Sequence, residues 1–281
     1  MCRHRSSCNG PLLILLLALL SPPAAWAAQV LLLATTTSTD NTGLLDFLAP
    51  RLQKETGIEL RWVAVGTGKA LELGRNCDVD VLLVHAPEAE KRFISQGYAT
   101  SRLQVMYNDF VLIGPQDDPA GISGMAPASA LARIRERQAL FLSRGDNSGT
   151  NKKEQALWRQ GIGQVPEQAP WYLQTGQGML TTITMAAEKQ AYTLTDRGTW
   201  IRYRASRSGD NRLRILVEGD RSLFNQYSVL VIDPQKCPRT KSGPATRFSR
   251  WLVSPSTQQL ISSFRLLGQP LFIPNAGQTD R

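Results

Sequence analysis

Two stretches decide the fold that this sequence predicts: "VMYNDFVLIGP" at Val105–Pro115 and "LFNQYSVLVIDP" at Leu223–Pro234. They resemble each other in length, apolar content and final proline, and they interrupt a chain that otherwise alternates between strand-like and helical segments. Such alternation is typical of a parallel sheet with crossover helices. The simplest arrangement is therefore two α/β lobes joined by two crossing strands, with the middle of the chain inserted as the second lobe.

These two stretches also set the expected limits of the lobes. We expect the first lobe in residues 28–112 and 221–281, and the second lobe in residues 113–220. The segment "ATRFSRWLVSPSTQQLISSFRLL", residues 245–267, is predicted to form helices that pack back on the first lobe.

The beginning of the chain has the pattern of a secretory signal peptide. Arg3 and Arg5 precede the apolar run "PLLILLLALL", and small residues follow where a signal peptidase cuts. We predict a signal peptide over residues 1–27, cleaved after Ala27. The apolar run is shorter than the roughly 18 residues that a membrane span needs, and no cysteine follows directly to accept a lipid. The sequence thus predicts a freely diffusing periplasmic protein.

Cysteine content and charge exclude other classes. Of four cysteines, Cys77 and Cys237 remain after cleavage, and in an oxidising compartment we expect a disulfide, with two buried free thiols as the alternative. The spacings do not make a zinc site. The formal charge is +9, of which Arg3 and Arg5 supply two. No aromatic-rich basic motif accompanies this charge, so we expect no nucleic-acid partner, although the field could gather anions.

Polar residues recur where predicted strands turn into helices, which is the edge at which open parallel sheets bind ligands. Hydroxyls, glycines and helix starts are shared by five such turns: "ATTTSTDNTG", "VGTGKA", "SRGDNSGTNKKE", "TGQGML" and "TLTDRGT". A capped helix explains any one turn, since an N-cap side chain satisfies one or two free backbone N–H groups. Their accumulation predicts a pocket lined by hydrogen-bond donors.

The turn "SRGDNSGTNKKE", Ser143–Glu154, supplies the charge of this pocket. Ser148 and Thr150 fall at the predicted helix start, where free N–H groups and the helix dipole favour an anion. Arg144 adds a planar guanidinium suited to tetrahedral oxyanions, and we expect Asp146 to hold it in position. The turn therefore predicts one half of an oxyanion clamp.

The proton on the anion discriminates between ligands. Phosphate near neutral pH usually carries a proton and needs a carboxylate to accept it, whereas sulfate, molybdate and tungstate are dianions that need only donors. The scarcity of carboxylates in the turns favours these dianions, but Asp146 leaves phosphate as an alternative.

Seven stretches, in the same order, resemble the tungstate-binding proteins of bacterial ABC importers: "LLLATTTSTDNTGLLDFLAP", "VGTGKALELGRNCDVDVLLVHAPEAEKRF", "VMYNDFVLIGPQDDPAGI", "FLSRGDNSGTNKKE", "WYLQTGQGM", "AYTLTDRGTW" and "VEGDRSLFNQYSVL". The resemblance runs from about Val30 to Val231. It implies a type II periplasmic binding protein fold, in which two αβα lobes are joined by two hinge strands with a ligand cleft between them.

The same resemblance implies a monomer that captures tungstate, with molybdate as a second ligand, and delivers it to a membrane permease without a cofactor or a metal cation. Matching motifs imply oxyanion contacts at Thr36, Thr37, Ser38, Thr67, Arg144, Ser148, Thr150, Gly178 and Thr195. The family usually has histidine after Ser-Gly-Thr, where this chain has Asn151. Because Asn151 keeps a neutral donor, we expect a modest shift in affinity and a weaker dependence of binding on pH.

An exported hydrolase of small anionic esters is the alternative of another class. His85 lies in "VHAPEAE", close to Glu88 and Glu90, and could serve as a base for one of the hydroxyls. A nucleophile elbow is absent, and a strand-end histidine before Ala-Pro is more often structural. We therefore expect a binding protein rather than an enzyme.

Overall fold

The computed structural model describes residue 1, residues 29–207, residue 209 and residues 211–278. The predicted signal peptide, apart from residue 1, lies outside the described residues. Within those ranges, no helix is both long enough and apolar enough to cross a membrane.

The described residues form an alternating set of helices and strands. The helices are α1 (Thr37–Asp40), α2 (Leu44–Thr56), α3 (Thr67–Arg75), α4 (Pro87–Ser95), α5 (Pro127–Glu136), α6 (Gly149–Ile162), α7 (Met179–Lys189), α8 (Arg197–Ser206), α9 (Ser242–Leu252) and α10 (Pro255–Ser263), with a 3₁₀ turn at Arg221–Leu223. The strands are β1 (Gln29–Thr36), β2 (Ile58–Val65), β3 (Val81–Val84), β4 (Ala99–Pro115), β5 (Phe141–Ser143), β6 (Tyr172–Gln174), β7 (Thr193–Asp196), β8 (Leu213–Val217), β9 (Phe224–Ile232), β10 (Arg265–Leu266), β11 (Gln269–Pro270) and β12 (Ile273–Pro274).

The first lobe is built on a mixed sheet with the strand order β12-β4-β9-β3-β1-β2. The pairs of β1 with β2 and β3 are parallel, as the alternating pattern predicts. In contrast, β9 runs antiparallel to both β3 and β4. This strand is reversed because β4 carries the chain out of the first lobe and β9 carries it back.

Helices cover both faces of this sheet. On one face Leu31 and Leu33 belong to a core that includes Leu48 of α2 and Phe248 of α9. On the other face Ala34, Leu82 and Val84 pack with Ala70 of α3 and Phe93 of α4. The tail helices α9 and α10 therefore lie on the first lobe, which confirms the prediction made for residues 245–267.

Strand β4 is shared by the two lobes. Residues 99–109 pair with β9 of the first lobe, whereas Phe110–Pro115 pair with β7 and β8 of the second lobe. The first quoted stretch is therefore a crossing strand, as predicted. The second quoted stretch does not cross in the same way. Within the described residues, its strand β9 pairs only in the sheet of the first lobe. Leu223, just before β9, is the one residue of this stretch that belongs to the second-lobe core.

The second lobe surrounds a short parallel pair, β5 with β6. The backbone N–H of Leu142 donates to the carbonyl of Tyr192, which places β5 next to the segment that leads into β7. Helices α5 and α6 close this core around Phe141 and Trp158. The exact residue limits of the two lobes stay a prediction.

A disulfide joins Cys77, just after α3, to Cys237, just after β9, with 5.3 Å between the two Cα atoms. Cys237 and the partly buried Cys77 belong to the core on the α3 and α4 side of the first sheet. The bond therefore ties the beginning of the chain to the segment that follows the inserted lobe.

Replacing both cysteines, Cys77→Ser with Cys237→Ser, should lower the free energy of unfolding. The bond spans a sequence separation of 160, and closing so long a loop stabilises a protein by about 4 to 5 kcal/mol, because it restricts the unfolded chain. Urea unfolding monitored by circular dichroism measures the loss, and reduced wild-type protein is the control that should match the variant. Equal stability of the variant and the oxidised wild type would contradict the expectation.

Candidate functional site

A cavity of about 740 Å³ lies between the two lobes, as the predicted cleft requires. The first lobe contributes Thr37 at the start of α1, residues along the whole of α3, and residues of α4. The second lobe contributes the turn after β5, Lys152 of α6 and Gly178. Its lining contains five cations and two carboxylates: Lys69, Arg75, Arg92, Arg144, Lys152, Glu72 and Asp146. This excess of positive charge favours an anion.

The run of hydroxyl residues at the end of β1 continues into α1, and one of these residues caps that helix. Thr36 Oγ1 accepts a hydrogen bond from the backbone N–H of Thr39 at 3.2 Å, so Thr36 is the N-cap of α1. Thr37 is exposed and lines the cavity. The Oγ of Ser38 lies 3.0 Å from Thr36 Oγ1 and 3.2 Å from His85 Nε2. One of these hydroxyls therefore caps the helix, and the others face neighbouring polar groups or the cleft.

Thr67, the first residue of α3, is buried, and its Oγ1 has no hydrogen-bond partner in the part of the chain that the structure describes. This hydroxyl faces the beginning of α6. A Cβ placed on Gly149 would stand 3.1 Å from Thr67 Oγ1 and 2.9 Å from His85 Cε1, which is too close for a side chain. Glycine at position 149 therefore lets the free N–H groups of the first turn of α6 approach the first lobe.

Arg144 follows β5 directly, and its side chain is 9% exposed. Its Nη2 donates to Asp146 Oδ2 at 2.5 Å, and Asp146 Oδ1 accepts from the backbone N–H of Ser148 at 3.1 Å. Asp146 thus holds the guanidinium, as predicted, and both of its oxygens accept protein donors. Arg144 Nε is buried and has no partner among the described residues, so this charged N–H is available to a ligand.

The remaining predicted contacts have different surroundings. Ser148 is the N-cap of α6, with its Oγ accepting from Asn151 N at 3.3 Å, and Thr150 is buried in the first turn of that helix. Gly178 precedes α7 and lines the cavity. Thr195 lies in β7, and its hydroxyl donates to the carbonyl of Asp196 at 3.1 Å. Of the nine predicted contacts, Thr37, Arg144 and Gly178 line the cavity, whereas Thr36, Ser38, Thr67, Ser148, Thr150 and Thr195 lie outside its lining. The helix starts at α6 and α7 are therefore confirmed as local structure.

Asn151, where the chain departs from the family pattern, points into the second lobe. Its Oδ1 accepts from the backbone N–H of Asn147 at 3.1 Å. Its Nδ2 donates to Ser143 Oγ at 3.1 Å and, more weakly, to Glu154 Oε2 at 3.5 Å. The neutral donor that we expected Asn151 to keep for a ligand is thus engaged in supporting the turn.

Sequence reasoning missed a buried network of polar side chains that is hydrogen-bonded to Ser38. Asn225 donates through Nδ2 to Asn108 Oδ1 at 2.7 Å and to Tyr227 Oη at 3.2 Å, so its Oδ1 accepts from His85 Nδ1 at 2.8 Å. His85 Nε2 is then the acceptor for the Ser38 hydroxyl. Asparagines inside the two apolar stretches "VMYNDF" and "LFNQY" were the available signal for this network.

Burial lowers the pKa of His85 to about 4, the hydrogen bond with Asn225 partly opposes this, and the charge of Arg144 lowers the pKa further. The ring is therefore neutral at neutral pH and adds no charge to the cleft. Positive charge acts on this ring from Arg144, and the N-terminus of α6 adds a positive dipole end to the site.

Most of the chain is similar to proteins of a known family. The family model described as the PBP superfamily domain matches residues 22–256. The tungstate-binding protein TupA of Campylobacter jejuni is 47% identical over 239 residues, which are 85% of this chain and 88% of that protein.

Two solved structures are similar as well. The tungstate-binding protein TupA from Desulfovibrio alaskensis G20 is 61% identical with a TM-score of 0.82, and the alignment covers 89% of this chain and all of that one. The structure described as the tungstate ABC transporter from Geobacter sulfurreducens is 43% identical with a TM-score of 0.74, over 85% of this chain and all of that one.

A titration of His85 tests this hydrogen-bonded network directly. His4 falls in the predicted signal peptide, so the processed protein should contribute one histidine ring to an NMR spectrum. We expect its midpoint near pH 4, against 6.5 for an ordinary histidine. Because the folded-state pKa is lowered, the stability contributed by neutral His85 is present above pH 6.5 and is lost as the pH falls through 4. A folded-state midpoint of 6 or higher would contradict the burial and the donor role of Nδ1, and urea-unfolded protein is the control.

Proposed function

The chain belongs to the PBP superfamily and, within it, to the family of the tungstate-binding proteins, and from this we propose that it captures tungstate in the cleft between its lobes. The observation that carries the proposal is a pair of buried groups from opposite lobes, Thr67 Oγ1 and Arg144 Nε, that lack partners among the described residues. Buried polar atoms are nearly always hydrogen-bonded, so such a pair points to a ligand. A tetrahedral oxyanion offers acceptors to both at once.

The charges in the cleft favour a fully ionised dianion. Cations outnumber carboxylates in the lining, and both oxygens of Asp146 already accept hydrogen bonds from Arg144 and Ser148. A protonated phosphate would have to share that carboxylate. We therefore favour tungstate, with molybdate as a second ligand of the same charge and nearly the same size, and we keep phosphate and sulfate as the alternatives that a titration distinguishes.

The contacts that we propose are those implied by the family motifs, with four from the first lobe and five from the second. They are Thr36, Thr37, Ser38, Thr67, Arg144, Ser148, Thr150, Gly178 and Thr195. The first lobe supplies hydroxyls, except that Ser38, whose hydroxyl donates to His85, would use its free backbone N–H in the first turn of α1. The second lobe supplies a guanidinium, the starts of α6 and α7, and the hydroxyl of Thr195. Each lobe supplies only part of the set, so binding favours closure of the cleft.

We further propose that the protein is a periplasmic monomer, exported by a cleaved signal peptide over residues 1–27, that binds without a cofactor. Its partner is the membrane permease of an ABC importer, a role supported by the relative from Geobacter sulfurreducens that is described as a tungstate ABC transporter. The proposed lobes comprise residues 28–112 with 221–281, and residues 113–220.

One observation favours the hydrolase alternative. Ser38, His85 and Asn225 form a hydrogen-bonded row, with 3.2 Å from Ser38 Oγ to His85 Nε2 and 2.8 Å from His85 Nδ1 to Asn225 Oδ1. A pKa of about 4 makes His85 a weak base, and we therefore propose a binding role rather than catalysis. Turnover of phosphate or sulfate esters that is lost in His85→Ala, but not in the presence of tungstate, would reverse this choice.

Arg144→Ala should weaken tungstate binding. A hydrogen bond to a charged group contributes about 1.5 to 3 kcal/mol, or roughly 10-fold to 150-fold in affinity, and the guanidinium also supplies charge. Isothermal titration with tungstate, molybdate, sulfate and phosphate measures the change and the order of ligands.

The matched control is Arg133→Ala, since Arg133 lies on α5 and pairs with Glu136 at the surface. It should bind like the wild type. Wild-type affinity in Arg144→Ala would refute the assignment of Arg144, and preference for phosphate would refute the tungstate proposal.

Thr67→Val should separate binding from stability. Its hydroxyl has no partner within the described chain, so an isosteric valine should leave the unfolding temperature unchanged or higher while tungstate affinity falls by about 10-fold or more.

Thr35→Val is the matched control, because Thr35 Oγ1 donates to the carbonyl of Leu83 at 2.8 Å inside the first lobe. That variant should lose stability and keep its affinity. The opposite pattern in the two variants would show that Thr67 is a structural residue.

A further inference from the structure

Glu154 is a buried carboxylate on α6 for which the binding site has no direct use. It is 3% exposed. Its Oε1 accepts from Tyr172 Oη at 2.7 Å and from Trp158 Nε1 at 3.1 Å. Its Oε2 accepts from Ser143 Oγ at 2.5 Å and from Asn151 Nδ2 at 3.5 Å. Each of these donors is uncharged, so the carboxylate is held by hydrogen bonds rather than by an ion pair.

The Oε2 side of Glu154 reaches the turn that carries Arg144. Ser143 Oγ accepts from the backbone N–H of Gly145 at 3.2 Å, and Asn151 Oδ1 accepts from the backbone N–H of Asn147 at 3.1 Å. Both side chains that hold the turn therefore bond to Glu154 as well.

Gly145 and Asn147 both have left-handed backbone conformations, with φ of 62° and 57°. Glycine adopts this conformation freely and asparagine more readily than most residues, but the region is sparsely populated, so hydrogen bonds help to fix the turn. The two hydrogen bonds at Gly145 N and Asn147 N are contacts of this kind.

We propose that ionised Glu154 is the positioning residue for Arg144, acting through Ser143 and Asn151, and that it thereby makes oxyanion affinity depend on pH. The inference rests on the proposed function, since it concerns how the same cleft holds its anion. Glu154 itself touches no ligand in this scheme.

Protonation of Glu154 would disturb the turn for a geometric reason. A carboxylate accepts hydrogen bonds from all four partners, whereas a carboxylic acid must donate one. The nearest partner, Ser143 Oγ, already accepts from Gly145 N and Asn151 Nδ2. A third donor would displace one of them and loosen the turn around Arg144.

The change should fall near neutral pH. Burial raises the pKa of Glu154 to about 7, against the lowering effect of its hydrogen bonds, of which that from Ser143 is the largest. The other titratable group in contact is the Tyr172 phenol from β6, whose pKa is raised far above its usual range by burial and by the charge of Glu154, with Glu167 adding to the effect. It therefore stays protonated.

Three cations on the turn and on α6 interact with groups other than Glu154. Arg144 binds Asp146, and Lys152 of α6 donates to the carbonyl of Asn147 at 3.0 Å. The charge of Lys153 interacts with Asp220. Helix α5 packs against α6 through apolar side chains that include Leu131 and Ile134.

A matched pair of variants tests the positioning role at pH 8. Ser143→Ala cuts the link from Glu154 to the turn, and tungstate affinity should fall about 10-fold, the size of one hydrogen bond of this kind. Tyr172→Phe removes a similarly short bond to the other oxygen of Glu154. It should lower stability while leaving affinity within about twofold of the wild type, since Ser143 keeps its bonds to Gly145 N and to Glu154. Equal affinities in the two variants would overturn the proposal.

The pH profile tests the charge of Glu154. Wild-type affinity for tungstate, titrated at micromolar concentration from pH 6.2 to 8.5, should fall as the pH drops through 7, and Glu154→Gln should be weak and flat over this range. Changes in the anion's own protonation appear in both proteins, so the difference between the profiles reports Glu154.

A flat wild-type profile, or the same slope in Glu154→Gln, would overturn the proposal while leaving tungstate binding intact. Failure of the wild type to bind tungstate at any pH would instead overturn the proposed function. If Glu154→Gln does not fold, the wild-type pH profile, read together with the Ser143→Ala and Tyr172→Phe pair, decides the question.

Discussion

A single strand that is hydrogen-bonded into the sheets of both lobes is the constraint on which the cleft depends. Residues 99–109 of β4 pair with β9, and its last residues pair with β7 and β8. The lobes therefore have a common element, and their facing edges are set by where β4 changes partners. The start of α6 lies so close to the first lobe that a Cβ at position 149 would stand 2.9 Å from His85 Cε1 and 3.1 Å from Thr67 Oγ1.

The chemistry of the cleft follows from which groups are charged and which are neutral. His85 is buried and neutral, and the Ser38 hydroxyl donates to it. Asp146 is occupied by Arg144 and by the backbone of Ser148. What remains for a ligand is the buried Nε–H of Arg144, the other cations of the cavity lining, several hydroxyls and helix N-termini. Such a set stabilises an anion by charge and by hydrogen bonds together, and it offers little to a proton on that anion.

Support for this set lies one layer deeper in the second lobe. Ser143 and Asn151 accept hydrogen bonds from two backbone N–H groups of the turn around Arg144, and both donate a hydrogen bond to Glu154. A buried carboxylate bonded only to neutral donors is sensitive to pH in a way that a buried ion pair is not, because no fixed positive charge compensates it. The position of Arg144 and the protonation of Glu154 are then linked.

The sequence by itself determined the local parts of this protein. Helix starts at Thr67, Gly149 and Met179 and the pairing of Arg144 with Asp146 were predictable, because caps and turns are satisfied within a few residues. The crossing strand and the placing of the tail helices were predictable from hydrophobic pattern. Only the tertiary structure decided that His85 bonds Asn225, a partner 140 residues away, and that Asn151 turns inward. The antiparallel pairing of β9 with β3 and β4 was likewise decided by the tertiary structure. These contacts depend on which strands become neighbours after the second lobe is inserted, and no local pattern specifies that.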